Sequence, residues 1–223
     1  MALFDDQARK EVTAFFAERL KGSGSAKIFA FLPKDVSECE YCAEIEELSS
    51  ELETLSKGKI KTKRLIIEDA RELADRLKVK RAPATVVTDD GHNFALKFYG
   101  LPSGYEFSAL LSDIEDISNG KSSLRASTIE SVQRLQRPVH IQVFVTPSCP
   151  YCPRAVRTAH QLSLANPKMV DAEMIEASEF PELAEKYSVM AVPKIVINDS
   201  LEFEGALPEQ TFVSKVEEAI SAS

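Results

Sequence analysis

The sequence predicts an α/β chain of two tandem units, each a mixed central sheet flanked by helices. The first observation behind this is internal repetition. Cys39-Glu40-Tyr41-Cys42 returns as Cys149-Pro150-Tyr151-Cys152, an offset of 149 − 39 = 110. Arg81-Ala82-Pro83 returns as Ala191-Val192-Pro193 at the same offset, as do Glu72-Leu73-Ala74 and Val79 against Glu182-Leu183-Ala184 and Val189. A two-copy period of this length is too long for a solenoid, and each copy is large enough to be a small domain. The second observation is the alternation, in each copy, of short apolar runs with segments of helical periodicity. The third is length: 223 residues suit two domains of about 110 residues, each with a modest core. The boundary is placed in the Ser118–Ser123 linker, giving units 1–118 and 119–223.

In the first unit, Phe4, Ala8, Val12, Phe15, Phe16 and Leu20 recur at helical spacing, and Gly22-Ser23-Gly24-Ser25 is expected to end that helix. Lys27–Leu32 reads as a buried strand. Pro33–Glu38 leads as a loop to Cys39, and Ile45, Leu48, Leu52 and Leu55 mark one face of the next helix. Arg64–Ile67 is expected as a second strand, Ala70–Leu77 as a helix and Thr85–Val87 as a third strand. Asp89-Asp90-Gly91-His92 signals a hairpin turn before a strand over Phe94–Phe98, and Ser108–Ile117 closes the unit as a helix.

The second unit repeats the order. Ile129–Leu135 is helical, Val139–Val145 a strand, and a helix begins near Pro153. Met174-Ile175 and Lys194–Ile197 are strands with the helix Phe180–Tyr187 between them, Phe203 belongs to a short last strand, and Phe212–Ile220 is the closing helix. A strand-helix-strand unit followed by a hairpin and a helix implies a mixed sheet covered on both faces.

Composition narrows the function. A formal charge of −8 without clustered Lys and Arg excludes a phosphate-neutralising nucleic-acid binder. No run of about 20 apolar residues could span a membrane. The start Met1-Ala2-Leu3-Phe4-Asp5-Asp6 lacks the basic and apolar stretches of a secretory signal, so a cytoplasmic location is expected. All four cysteines lie in the two CxxC pairs, which in the cytosol points to redox or metal chemistry rather than a structural disulfide framework.

The redox reading follows from where each pair sits. Unpaired N–H groups and aligned peptide dipoles at a helix start favour negative charge, so the first cysteine of each pair ionises readily and attacks. The second, one turn on, resolves the mixed disulfide. A structural Cys₄ zinc site is the non-enzymatic alternative, because two CxxC knuckles can supply four thiolates. Against it, each pair belongs to a copy that has its own core.

The element order, the CxxC at the first helix start and the proline before the third strand resemble the thioredoxin fold. Two such units in one chain resemble the protein disulfide oxidoreductases of thermophilic archaea and bacteria, and Cys149-Pro150-Tyr151-Cys152 with Arg154 is of the glutaredoxin type. That resemblance implies a thiol-disulfide oxidoreductase that reduces, forms or isomerises protein disulfides with no bound cofactor. With the dipole argument it makes Cys39 and Cys149 the attacking thiols, and Cys42 and Cys152 the buried resolving ones. It also implies that Pro83 and Pro193 follow cis peptide bonds facing the disulfides. Ala82 and Val192 would then offer backbone groups to an extended substrate, with Tyr41 and Tyr151 shaping the site.

The second copy also resembles the N-terminal module of flavoprotein reductases that recharge peroxiredoxins. This implies an alternative role as an electron relay from a thioredoxin-reductase-like flavoprotein to a peroxiredoxin. One departure stands out: the buried acid that thioredoxins keep six residues before the first cysteine is replaced by Pro33 and Val143, leaving Glu68 and Glu176 as candidate proton acceptors. Acids at 38, 40, 44, 46 and 47 crowd the first pair, whereas Arg154, Arg157 and Lys194 lie near the second. Cys149 is therefore expected to be the more acidic thiol.

Overall fold

The computed structural model describes residues 3–21, 26–37, 39–120 and 122–221. The expected helix stop at 22–25, the end of the loop at Glu38 and Lys121 of the linker lie outside those residues. In chain order the first repeat gives α1 (Asp6–Arg19), β1 (Lys27–Leu32), α2 (Cys42–Leu55), β2 (Lys61–Ile66), α3 (Arg71–Arg76), β3 (Ala84–Thr88), β4 (Leu96–Tyr99) and α4 (Glu106–Asn119). The second gives α5 (Ala126–Gln133), β5 (Val139–Val145), α6 (Cys152–Ala165), β6 (Val170–Glu176), α7 (Pro181–Lys186), β7 (Lys194–Ile197), β8 (Leu201–Glu204) and α8 (Glu209–Ser221).

The strands fall into the same order twice, β2-β1-β3-β4 and β6-β5-β7-β8. In each, the first two strands in sequence run parallel through a crossover helix, and the last two are antiparallel. The parallel pairs are Lys27 to Leu32 against Lys61 to Ile66, and Val139 to Val145 against Val170 to Glu176. By contacts the chain forms two compact units, Met1–Leu101 with Asp113–Lys121, and Pro102–Ser112 with Ser122–Ser223. Thus Pro102–Ser112, continuous in sequence with the first repeat, groups with the second unit.

The crossover helices carry the sites, and their burial follows from spacing. Along α2, Cys42, Ile45, Leu48, Ser49, Leu52 and Leu55 are buried, a stripe of three- and four-residue steps that packs on β1, β2 and β3. Along α6 the buried stripe includes Cys152, Ala155, Val156, Ala159 and Leu162, laid against β5 and β6. The strands beneath are apolar on both faces: Phe31, Leu32 and Val86 in one unit, and Val143, Phe144, Ile175 and Ile195 in the other, are essentially fully buried. Burial of each such side chain stabilises by roughly 1.5–3 kcal/mol.

Strand β2 departs from that pattern. It starts three residues before the expected Arg64, and Lys61, Lys63 and Arg64 are exposed along it. It ends its four-strand order, so among the described residues one side of its backbone has no neighbouring strand in the sheet. Charge on such an edge is a common device. Strand β4 likewise begins at Leu96 rather than Phe94.

The short helices α3 and α7 end alike. Lys78 and Ser188 take positive φ of 56° and 47°, and the following Val79 and Val189 each donate from N to the carbonyl of Ala74 or Ala184 at 2.8 Å. These turns deliver the chain to the two prolines.

Candidate functional site

Each CxxC spans the approach to a crossover helix. Tyr41 and Tyr151 are the N-cap residues of α2 and α6, and Cys42 and Cys152 are the first helical residues. Both pairs are closed as disulfides, Cys39–Cys42 and Cys149–Cys152, with Cα atoms 5.5 Å apart in each. All four sulfurs are thus committed pairwise, so the geometry of four thiolates on one zinc ion is not this structure.

Accessibility is graded as exchange chemistry needs. Cys39 is half-buried and Cys42 buried. Cys149 retains 7% exposure and Cys152 none. An incoming sulfur therefore meets the first cysteine of each pair. In the second unit the Cys152 N–H donates to Cys149 Sγ at 3.1 Å, placing a helix-start donor on the sulfur that would carry charge once the disulfide opens. Pro153 occupies the first turn, where its missing N–H is no loss.

The prolines stand where the repeat placed them. Ala82-Pro83 and Val192-Pro193 are both cis. Cys149 Sγ lies 3.7 Å from the Val192 carbonyl oxygen, so the strand-leading peptide borders the disulfide directly. Both proline loops are tied alike: Gly100 N donates to Pro83 O at 3.1 Å, and Gly205 N to Pro193 O at 2.8 Å. Those glycines take φ of 87° and 86°, a conformation that L side chains rarely adopt.

The charged surroundings differ from the simple count of residues. Glu46 pairs with Arg64 at 3.1 Å and Glu47 accepts from Leu3 N, so part of the acidity near Cys39 is spent locally. Arg154 donates to the Ala206 carbonyl. The Lys194 ammonium donates to the carbonyls of Tyr187 and Ser188 and pairs with Glu202 at 2.8 Å. It is thereby a tie between α7 and the β7–β8 hairpin.

The candidate proton acceptors are also engaged. Glu68 accepts from Lys34 N, while Glu176 accepts from Ser178 Oγ and from Glu179 N. The Glu176 bonds form a local turn, whereas Glu68 ties the loop after β1 to the end of β2. His160 is buried in α6. His140 stands 3.2 Å from Glu173 on the neighbouring strand, and His92 sits in the β3–β4 turn.

Two residues on segments bordering the second disulfide carry no signal in the residue pattern, the exposed Tyr105 and Met190, and the sequence-named Tyr151 proves largely exposed. Tyr105 N donates to Pro147 O at 3.0 Å, two residues before Cys149. Gly104, with φ of 57°, lets the two segments approach, because a Cβ there would run into the Pro147 carbonyl.

Comparison with known proteins agrees with this geometry. The thioredoxin domain family matches residues 139–218. An alkyl hydroperoxide reductase protein of Staphylococcus aureus is 27% identical over 173 residues, covering 75% of this chain and 34% of that protein. The chain thus spans about a third of the length of the curated relatives it matches. The N-terminal domain of the corresponding Enterococcus faecalis protein shares the fold, with a TM-score of 0.82 at 24% identity over 96% of this chain and 99% of that one. A protein disulfide oxidoreductase from Aeropyrum pernix superposes with a TM-score of 0.85 at 31% identity, over 98% of this chain and 94% of the other. With two thioredoxin-fold units, two CxxC disulfides and that identity over nearly the full length of both chains, this chain belongs to the protein disulfide oxidoreductase family.

Proposed function

We propose that the chain reduces, forms or isomerises disulfides in client proteins through two redox sites, in thioredoxin-like domains at 1–118 and 119–223. Cys39 and Cys149 attack, and Cys42 and Cys152 resolve. The thiolate of the attacking cysteine displaces one client sulfur and forms a mixed disulfide; the resolving thiol then displaces the second client sulfur. Two electrons and two protons pass to the client, and the protein disulfide closes. Backbone groups of Ala82 and Val192, presented by Pro83 and Pro193, pair with an extended client strand, while Tyr41 and Tyr151 flank it.

The observation that carries this reading is the approach of Val192 O to within 3.7 Å of Cys149 Sγ, beside a helix-start N–H on the same atom. The exchanging sulfur and a backbone edge for the client occupy one place. The disulfides supply the redox chemistry with no further cofactor, in the cytoplasm, and without nucleic acid or membrane as partner. Among the described residues no helix is long and apolar enough to cross a membrane.

The likeness to alkyl hydroperoxide reductase favours a second reading, an electron relay from a thioredoxin-reductase-like flavoprotein to a peroxiredoxin. Insulin reduction in the presence of dithiothreitol tests the first reading, with acceleration expected. Turnover with a peroxiredoxin but none with insulin would replace it by the second.

A further inference from the structure

Among the described residues, the large exposed apolar side chains fall on segments adjoining the disulfides, and unequally. Among the described residues the large hydrophobics left exposed are Val36 at 47%, Tyr105 at 53%, Tyr151 at 70% and Met190 at 89%. Val36 O accepts from Cys39 N, so Val36 borders the first disulfide. The other three stand on the segments that meet at the second. Tyr151 lies between its cysteines, and Tyr105 is hydrogen-bonded to Pro147, two residues before Cys149. Met190 precedes by two residues the Val192 whose carbonyl meets Cys149 Sγ. Scattered exposed hydrophobics need no explanation, but three on the segments that converge on one reactive cysteine do.

The internal repeat supplies a control. At the 110-residue offset Met190 corresponds to Lys80, which is exposed, and Tyr151 to Tyr41, which is half-buried. Glu40 is exposed beside Cys39, and the residue next to Lys80 is Arg81, whose guanidinium covers Tyr99. At these equivalent positions the same backbone frame therefore presents Met190 near one disulfide and Lys80 near the other, with Val36 the one exposed large apolar residue described beside the first.

We propose that Met190, with Tyr105 and Tyr151, is a specificity determinant: the second site selects client segments that carry an apolar side chain beside the half-cystine, and the first site does not. The inference rests on the oxidoreductase reading, because exchange must bring a client strand against Val192. An unbranched thioether is suited to the task, since it adapts to differently shaped apolar side chains. A client residue flanking the half-cystine displaces water from Met190 as the mixed disulfide forms, whereas a charged one loses hydration there without a partner.

The test isolates each site. The full chain carrying Cys39→Ser and Cys42→Ser is reduced, freed of reductant, and mixed in single turnover with two disulfide peptides that differ only in Leu or Glu beside the half-cystine. The Leu peptide is expected to react faster. Met190→Gln, neutral and similar in size, is expected to lower the Leu-to-Glu rate ratio about fivefold, the factor that about 1 kcal/mol of apolar contact gives. The ratio cancels any change in thiol reactivity.

In the converse arm, Lys80→Met in the full chain carrying Cys149→Ser and Cys152→Ser is expected to raise that ratio at the first site. A ratio unmoved by Met190→Gln overturns the proposal. Failure of the parent protein to reduce either peptide or bis(2-hydroxyethyl) disulfide overturns instead the oxidoreductase reading beneath it.

Discussion

Cys149 accepts a hydrogen bond from the Cys152 N–H and touches the Val192 carbonyl, so once reduced its thiolate is held by a donor that no rotation is needed to supply. Thiol titration in separate Cys39→Ser and Cys149→Ser variants should therefore find the lower pKa at Cys149. The basic neighbours contribute less to this than their number suggests, because Lys194 is bound to carbonyls and to Glu202. An equal or lower value at Cys39 would refute it. At His92 the sign runs with pH. Burial first, then the Arg76 and Lys27 charges, lowers its pKa, against a smaller pull from Asp89 and Asp90. The folded chain then binds fewer protons than the unfolded one, and stability falls as pH drops below about 6.5. Urea unfolding at pH 7.5 and pH 5 should show a smaller acid loss in His92→Gln than in the parent.

At the scale of elements, the loop carrying Gly104 abuts the segment that leads to Cys149. Gly104→Val combines a positive φ with collision against the Pro147 carbonyl, and should destabilise the chain by about 1–3 kcal/mol in denaturant unfolding. It should also slow client exchange, because Tyr105 would move from Pro147. In α2, Leu52 is fully buried among strands and helix, and Leu52→Ala should lose about 2–5 kcal/mol. These elements differ in how far residues alone reveal them. Helices α2 and α6 were legible because their apolar positions keep helical spacing, and the motif cysteines fall at their first turns. The first half of β2 was not, since Lys61-Thr62-Lys63 lacks the apolar signature of a strand. Its pairing with β1, rather than its own burial, makes it one. Glu68 and Glu176 illustrate the opposite limit: charge near a motif says nothing of direction, and one carboxylate accepts from Lys34 N across the unit while the other accepts from Glu179 N in its own turn.

Across the whole molecule, duplication was the most legible feature, because a gapless offset of 110 tied motif, helix and proline together before any geometry was known. What the offset could not disclose is exposure: Met190 and Lys80 occupy equivalent places, and solvent accessibility is what singles out Met190 as a large apolar side chain left in water. The molecule is expected to behave as two separate redox couples. Reduction should yield four titratable thiols per chain, and a chain with either cysteine pair replaced by serine should keep two and a single reduction potential. Loss of both couples on removing one pair would contradict this.

The lysines and arginine along β2 have a consequence for handling the protein in solution. An open strand invites a stranger's strand to add to it, and chains doing so in succession would build a fibre. Lys61 and Arg64 there pair with Glu53 and Glu46, and an added strand would have to strip water from all three long charged side chains, so a chain with Lys61, Lys63 and Arg64 replaced by threonine should cloud on warming while the parent stays clear.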